Sequence, residues 1–260
     1  MNRVRLSVLF LLFFLALLSW TPAWGRDDLC VFRKGLFLCD TAHDGGTAEM
    51  KLRFGRAGDV PFLIRFSVDG PAQPCVFRKL TNRFVCIDGT WPLVLPLGAQ
   101  PLMGDVDGDL VDGGTVDPCF RLETRWTCLI WDPTRGSHPT TWNFGSVNGT
   151  GALGDVNGDG FDDACDLRQG GRISCRIWHE QTGRYTFATF DFSAQLRAQG
   201  GGRFLMGDMD GDGRDDFCLY NHGRLLCGFF PAAGGLPTRT QEWSFGVEED
   251  VPVIGDVDGR

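Results

Sequence analysis

The stretch Gly154–Cys165, GDVNGDGFDDAC, carries an oxygen donor at every second position: Asp155, Asn157 and Asp159, then Asp163. A hard divalent cation such as Ca²⁺ takes six to eight oxygens at about 2.3–2.6 Å, and alternate side chains of a tight loop can converge to supply them. Gly158 and Gly160 allow the sharp bend such a loop needs, and the seventh residue, Phe161, would add its carbonyl. The pattern recurs as GDMDGDGRDDFC at Gly207–Cys218, with Asp208, Asp210, Asp212, the carbonyl of Arg214, and Asp216. It recurs again as GDVDGDLVDGGTVDPC at Gly104–Cys119, with Asp105, Asp107 and Asp109. Four extra residues lengthen that copy, and Asp117, two before the cysteine, is a better last ligand than Asp112. A stub, GDVDGR, closes the chain.

One copy has lost this chemistry. FLIRFSVDGPAQPC puts Arg65 at the first loop position, Ser67 at the third and Gln73 two before Cys75, so it should hold no metal. Competing readings of the loops fail on composition. An EF-hand needs a bidentate Glu at loop position twelve, where this chain has Asp166 or Leu219, and needs helices where cysteine hairpins follow. A nine-residue β-helix repeat is absent. His43, His138, His179 and His222 have no metal-ligand spacing, and HExxH, GxSxG, P-loop and CxxC motifs do not occur. The residues therefore name no catalytic group. Trp131, Trp178 and Phe230 each fall three places after the second cysteine of a pair, where aromatic faces could stack on sugars or fill space between repeats. Trp142 and Trp243, two before an FG, read as core.

The elements that must position these loops follow from the cysteines. Ten cysteines fall into five close pairs: Cys30 with Cys39, Cys75 with Cys86, Cys119 with Cys128, Cys165 with Cys175, and Cys218 with Cys227. Their regular short spacing favours local bridges in an oxidising compartment. Turns of two residues at Lys34-Gly35, Glu123-Thr124 and His222-Gly223 would set each pair directly opposite across a hairpin. The other two pairs need three residues (Gln169 to Gly171) and four (Lys79 to Asn82). The first cysteines recur every 45 to 50 residues or so, a period that marks propeller blades. Each period has a short apolar strand, the Asp loop, the cysteine hairpin and an aromatic strand such as TTWNFG or EWSFG, four strands in all. Helix is expected only near Ser193–Ala198.

At the N-terminus Arg3 and Arg5 precede an apolar run from Leu6 to about Leu18, with small residues near Ala23 and Gly25. Residues 1–25 read as a secretory signal peptide, the run being too short to span a bilayer, and residues 26–260 as the propeller. RDDLC lacks the small residues of a lipoprotein anchor. Loss of Arg3 and Arg5 takes the net charge from −8 to −10. That acidity, with no basic run and no amphipathic helix, argues against nucleic acid and membrane surfaces as partners. Asn148-Gly149-Thr150 is an N-glycosylation sequon for a eukaryotic source.

The segments FGVEEDVPVIGDVDG, TTWNFG and CVFRKG resemble the FG-GAP/VCBS repeat of β-propellers, the blade type also found in integrin α-chain heads. The resemblance spans essentially the whole mature chain in five copies, though the cysteine pairs stand where the usual repeat carries aliphatic or aromatic residues. The expected molecule is an all-β, secreted or cell-surface, monomeric five-bladed propeller of four-stranded blades, with one disulfide per blade. Three to four structural Ca²⁺ ions are its expected cofactors. Non-catalytic recognition of a glycan or protein is the expected role. A polysaccharide lyase or hydrolase, a passive scaffold, or a fragment of a longer propeller are the alternatives. The ring is expected to be closed by its two ends through a split loop. Asp256 and Asp258 would take positions one and three, the Arg260 carboxylate five, Arg26 seven and Asp28 nine, with one position left empty.

Overall fold

The computed structural model describes residues 25–259 apart from 68, 69, 88, 92, 113–115, 133 and 232. Residues 1–24, which hold all but the last residue of the expected signal peptide, and Arg260 lie outside the described residues. The strands, in chain order, are β1 (Asp28–Arg33), β2 (Leu36–Asp40) and β3 (Met50–Arg53); β4 (Val60–Ile64), β5 (Gln73–Arg78), β6 (Arg83–Cys86) and β7 (Gly89–Trp91); β8 (Gln100–Gly104), β9 (Asp117–Leu122), β10 (Arg125–Asp132) and β11 (Gly136–Asn143). They continue as β12 (Thr150–Gly154), β13 (Asp163–Leu167), β14 (Arg172–His179) and β15 (Arg184–Asp191), then helix α1 (Ser193–Gln199), then β16 (Arg203–Gly207), β17 (Asp216–Asn221), β18 (Arg224–Phe229), β19 (Arg239–Ser244) and β20 (Val251–Gly255). They form five antiparallel four-stranded sheets. Four sheets are consecutive; the first blade has the order β20-β1-β2-β3, so the last strand completes the blade that the first strand begins. Cys30 lies opposite Val253 in that pairing.

The innermost strands β20, β4, β8, β12 and β16 touch in a closed circle. They line a channel of about 710 Å³ whose walls include Leu63, Leu102, Leu153, Leu205 and Ile254. Large side chains fill the wedges between blades, as the strand alternation dictates: Phe190, Phe192 and Phe217 between the fourth and fifth blades, Leu29, Val31 and Leu225 between the fifth and first. Trp126, fully buried, anchors the third blade, its indole N–H donating to the Phe144 carbonyl at 3.0 Å.

All ten cysteines are bridged, in the five local pairs that the spacing favours. Cys30 is joined to Cys39 in the first blade, Cys75 to Cys86 in the second and Cys119 to Cys128 in the third. Cys165 is joined to Cys175 in the fourth blade and Cys218 to Cys227 in the fifth. Each pair is directly opposed on the second and third strands of its blade, with Cα atoms 4.0–4.2 Å apart. The turns are those the spacing requires. Lys34 (φ 52°) and Gly35 (φ 89°) both lie in the left-handed region, as do His222 (φ 50°) and Gly223 (φ 82°), matching the twist of a two-residue hairpin. The glycine has a second duty: a Cβ on Gly35 would stand 2.7 Å from the Gly55 carbonyl oxygen, where the next outer strand comes in. The Phe of each FG closes that strand onto the turn, Phe54 N–H to Gly35, Phe144 to Thr124 and Phe245 to Gly223. Phe192 does the same to Gly171 in the fourth blade, although no FG marks it. Among the described residues no helix is long and apolar enough to cross a membrane.

Candidate metal centre

The Asp loops of the first, third, fourth and fifth blades each lie between the innermost strand and the second. The register shows how the last Asp of each loop is placed: Gly154 lies opposite Asp163, Gly207 opposite Asp216, Gly104 opposite Asp117 and Gly255 opposite Asp28. Asp117 thus stands where Asp163 and Asp216 stand. In each case one oxygen of that last Asp accepts the N–H of the second loop residue: Val106 at 3.1 Å, Val156 at 3.2 Å, Met209 at 3.0 Å and Val257 at 2.9 Å.

The first Asp of each loop organises the bend. Asp155 accepts from Gly158 at 2.7 Å on one oxygen and from Gly160 at 2.7 Å on the other. Asp208 does the same with Gly211 and Gly213, and Asp105 with Gly108 and Leu110. The remaining carboxylates then converge. One carboxylate oxygen from each of Asp105, Asp107 and Asp109 lies within 4.8 Å of the others, as do those of Asp208, Asp210 and Asp216, and those of Asp28, Asp256 and Asp258. In the fourth blade Asn157 bridges the loop, donating to Asp159 at 3.0 Å and to the Trp178 carbonyl at 2.7 Å. Asp212 turns instead to Arg214, and Asp210 meets Arg239 at 2.8 Å.

Burial and mutual repulsion load these carboxylates. Burial first, then the Asp107 charge, pushes Asp117 up to about 9; burial holds Asp163 and Asp216 at about 8, Asp105 at about 7 and Asp155 at about 6. Three close carboxylates on a dry loop need protons or a cation. The donors are all hard oxygens, so the set fits Ca²⁺ rather than a thiophilic or imidazole-seeking metal.

A second set of carboxylates is not expected from the loop pattern. The residue before the last ligand, at position eight, reaches across to the preceding blade. Asp162 accepts the Asp105 N–H at 2.9 Å, Asp215 the Asp155 N–H at 3.1 Å and Asp27 the Asp208 N–H at 2.9 Å, while each donates its own N–H to the carbonyl of the same residue. A Cβ on Gly104, Gly154 or Gly207 would collide with that visiting carboxylate. The recurring GD before each loop and the doubled DD after it are therefore two halves of one inter-blade contact. Burial raises Asp162 to about 8 and Asp27 to about 6, and lifts Asp215 well above the carboxylate range. Position seven interlocks as well: the Phe161 ring lies on Gly108, the Arg214 stem on Gly158, and Arg26 donates to the Met209 carbonyl at 2.6 Å.

The three aromatic residues that share a place in the repeat do not share an environment. Phe230 packs against Phe190, Phe192 and Phe217 in the wedge between blades. Trp178 lies between Phe161 and Tyr185, and its backbone N–H holds Asp163 at 2.8 Å. Trp131 is 49% exposed. The exposed aromatic residues that the repeat did not mark are Tyr185 and Phe187, on the outer strand β15. A further acidic group, Asp40, Asp44 and Glu49, is occupied by its own loop: Asp44 and Gly45 N–H groups donate to Asp40, and Thr41 N–H to Glu49.

No family model matches the chain, and no curated protein matches it. The FG-GAP/VCBS likeness therefore remains a likeness of its repeats. Among solved structures, a lectin of Agrocybe aegerita described for specific recognition of non-reducing terminal N-acetylglucosamine superposes with a TM-score of 0.46 at 10% identity. The match covers 91% of this chain and 96% of that one. At those values nothing of the lectin's activity carries over to this chain.

Proposed function

We propose that the chain is a secreted, calcium-stabilised propeller that recognises a glycan without acting on it. The observation that carries the recognition half is the aromatic file on β15. Tyr185 and Phe187 are 45% and 71% exposed on a rigid eight-residue strand. The Arg176 guanidinium packs 3.3 Å from the Tyr185 ring centroid, and Phe144 of the neighbouring blade backs Phe187 at 5.9 Å between centroids. Flat apolar faces held on a strand lose little entropy on binding and suit the C–H face of a pyranose. A protein ligand is the second occupant this surface would take. Ca²⁺ at the loops would neutralise carboxylates that otherwise repel one another; Asp105, Asp107 and Asp109, Asp155 with Asp159 and Asp163, and Asp208, Asp210 and Asp216 would hold it. The five disulfides fit export to an oxidising compartment.

A glycan array run with wild type and with Phe187→Ala and Tyr185→Ala tests the reading. Binding to a defined glycan class by wild type, weakened at least about tenfold by either variant, is expected, since truncating an aromatic hot-spot residue costs about 2 kcal/mol or more. Unchanged glycan binding by both variants would remove β15 from the site.

A further inference from the structure

The split loop differs from the three continuous ones in what meets its carboxylates: His43 Nε2 stands 3.3 Å from Asp28, and the first Asp has a different partner. In those, the second oxygen of the first Asp is satisfied by the backbone N–H at loop position six: Leu110 for Asp105, Gly160 for Asp155 and Gly213 for Asp208. In the split loop, Asp256 accepts Gly259 N–H at 2.6 Å on one oxygen, as the pattern requires. Its other oxygen takes Nη2 of Arg65 at 3.0 Å. Arg65 also stands 3.7 Å from Asp27, at position eight of the same loop. Arg65 comes from the next blade. The pairing of Ile64 with Gln73 repeats that of Gly154 with Asp163, so Arg65 occupies in its own blade the place of Asp155.

We propose that Arg65 is the resident cation of the split loop, so that the seam of the ring closes on a tethered guanidinium while the three continuous loops close on calcium. The proposal rests on the calcium reading of those loops. A guanidinium between Asp256 and Asp27 supplies one positive charge, and its N–H stands in for the position-six backbone N–H of the continuous loops. Both partners are sheltered, Asp256 being 5% exposed and the Arg65 side chain 26% exposed. The blade whose loop carries Arg65, Ser67 and Gln73 in place of ligands has thereby gained a function for its neighbour. The Asp28, Asp256 and Asp258 oxygens still lie within 4.8 Å of one another, so removal of the guanidinium leaves a donor set of the same kind as the others.

Calcium content of the full chain, counted by native mass spectrometry after equilibration with CaCl₂, tests this. Wild type should hold three ions. Asp208→Asn should lower the count by one and Asp256→Asn should leave it unchanged. Arg65→Gln should raise it by one, and Arg65→Gln with Asp256→Asn should restore the wild-type count. Should Arg65→Gln fail to fold, the Asp256→Asn arm decides alone. A wild-type count of four that falls by one in Asp256→Asn overturns this inference and leaves the calcium loops standing. A wild-type chain that binds no calcium overturns the calcium reading itself and this inference with it.

Discussion

The second and fourth blades have the same strands and opposite loops. Ile64 faces Gln73 in one and Gly154 faces Asp163 in the other, each a residue short of its loop, and the cysteines two residues on are opposed alike. The fourth blade's loop is tied by Asp155, Asn157, Asp159 and Asp163, where the second has Arg65, Ser67, Asp69 and Gln73. Its wedge is nevertheless filled, with Phe77 and Phe84 at 5.1 Å between ring centroids and Phe84 fully buried. Its outer edge is closed by the Asn82 side chain, which bonds both the N–H and the carbonyl of Leu95. The blade fold thus needs the core and the staple, and the carboxylate loop is an addition to it.

Calcium removal should give the largest effect and should separate the two blades. A ligand held at 100 times its dissociation constant stabilises by about 2.7 kcal/mol per site, so three sites amount to about 8 kcal/mol. Chelation should lower Tm and speed hydrogen exchange in β12, β13, β16 and β17 while sparing β4 and β5; uniform loosening would break the comparison. Without calcium the acid side should be the stable one. Asp117, Asp163 and Asp216 titrate at about 8 to 9 in the fold against 3.8 in the unfolded chain. Between those values the folded state binds more protons than the unfolded, so stability falls as pH rises from about 4 to about 9. Added calcium should abolish that loss, and a calcium-free melting temperature that climbs with pH would contradict it.

Disulfides come next and should not distinguish the blades. Replacing Cys75 and Cys86 by Ala, or Cys165 and Cys175, removes loops of nearly equal separation, 11 and 10 residues. Each pair should cost about 2–3 kcal/mol in the urea midpoint, and a much larger cost in one blade would show that the staple there does more than close a hairpin. The smallest effect sharpens the loops themselves. Asp215→Ala leaves the Asp155 N–H buried without its acceptor and should cost about 1–3 kcal/mol, while Gln73→Ala in the second blade should stay within about 0.5 kcal/mol. Equal costs would remove the inter-blade contact as a source of stability.

Most of the architecture was legible because its determinants are local. A pair such as Cys30 and Cys39, nine residues apart around Lys34-Gly35, allows one hairpin. The pairs Cys119 with Cys128 and Cys218 with Cys227 repeat that separation, and the repetition fixes strands, turns and blade count together. The loop carboxylates were legible for the same reason, each being set by its distance from a cysteine. What lay across a blade boundary was not. Asp162, Asp215 and Asp27 read as filler beside the last ligand because their partners, Asp105, Asp155 and Asp208, are 57, 60 and 181 residues away. Arg65 read as a lost carboxylate, which is true of its own loop and silent about Asp256. Phe230 shares a sequence position with Trp131, yet Phe192 and Phe190 close over it, in the wedge beside α1.

The position-eight contacts give the ring a direction. Each doubled Asp leans backwards on the first residue of the loop before it, so Asp27 reports on Asp208, Asp215 on Asp155 and Asp162 on Asp105. The file then stops: Ala72 offers the split loop only its N–H, and Val116 stands in the same place in the third blade. The file of carboxylate-to-amide contacts thus runs from the first blade through the fifth and fourth to the third and has no such link onward. The molecule is round in shape and linear in its wiring.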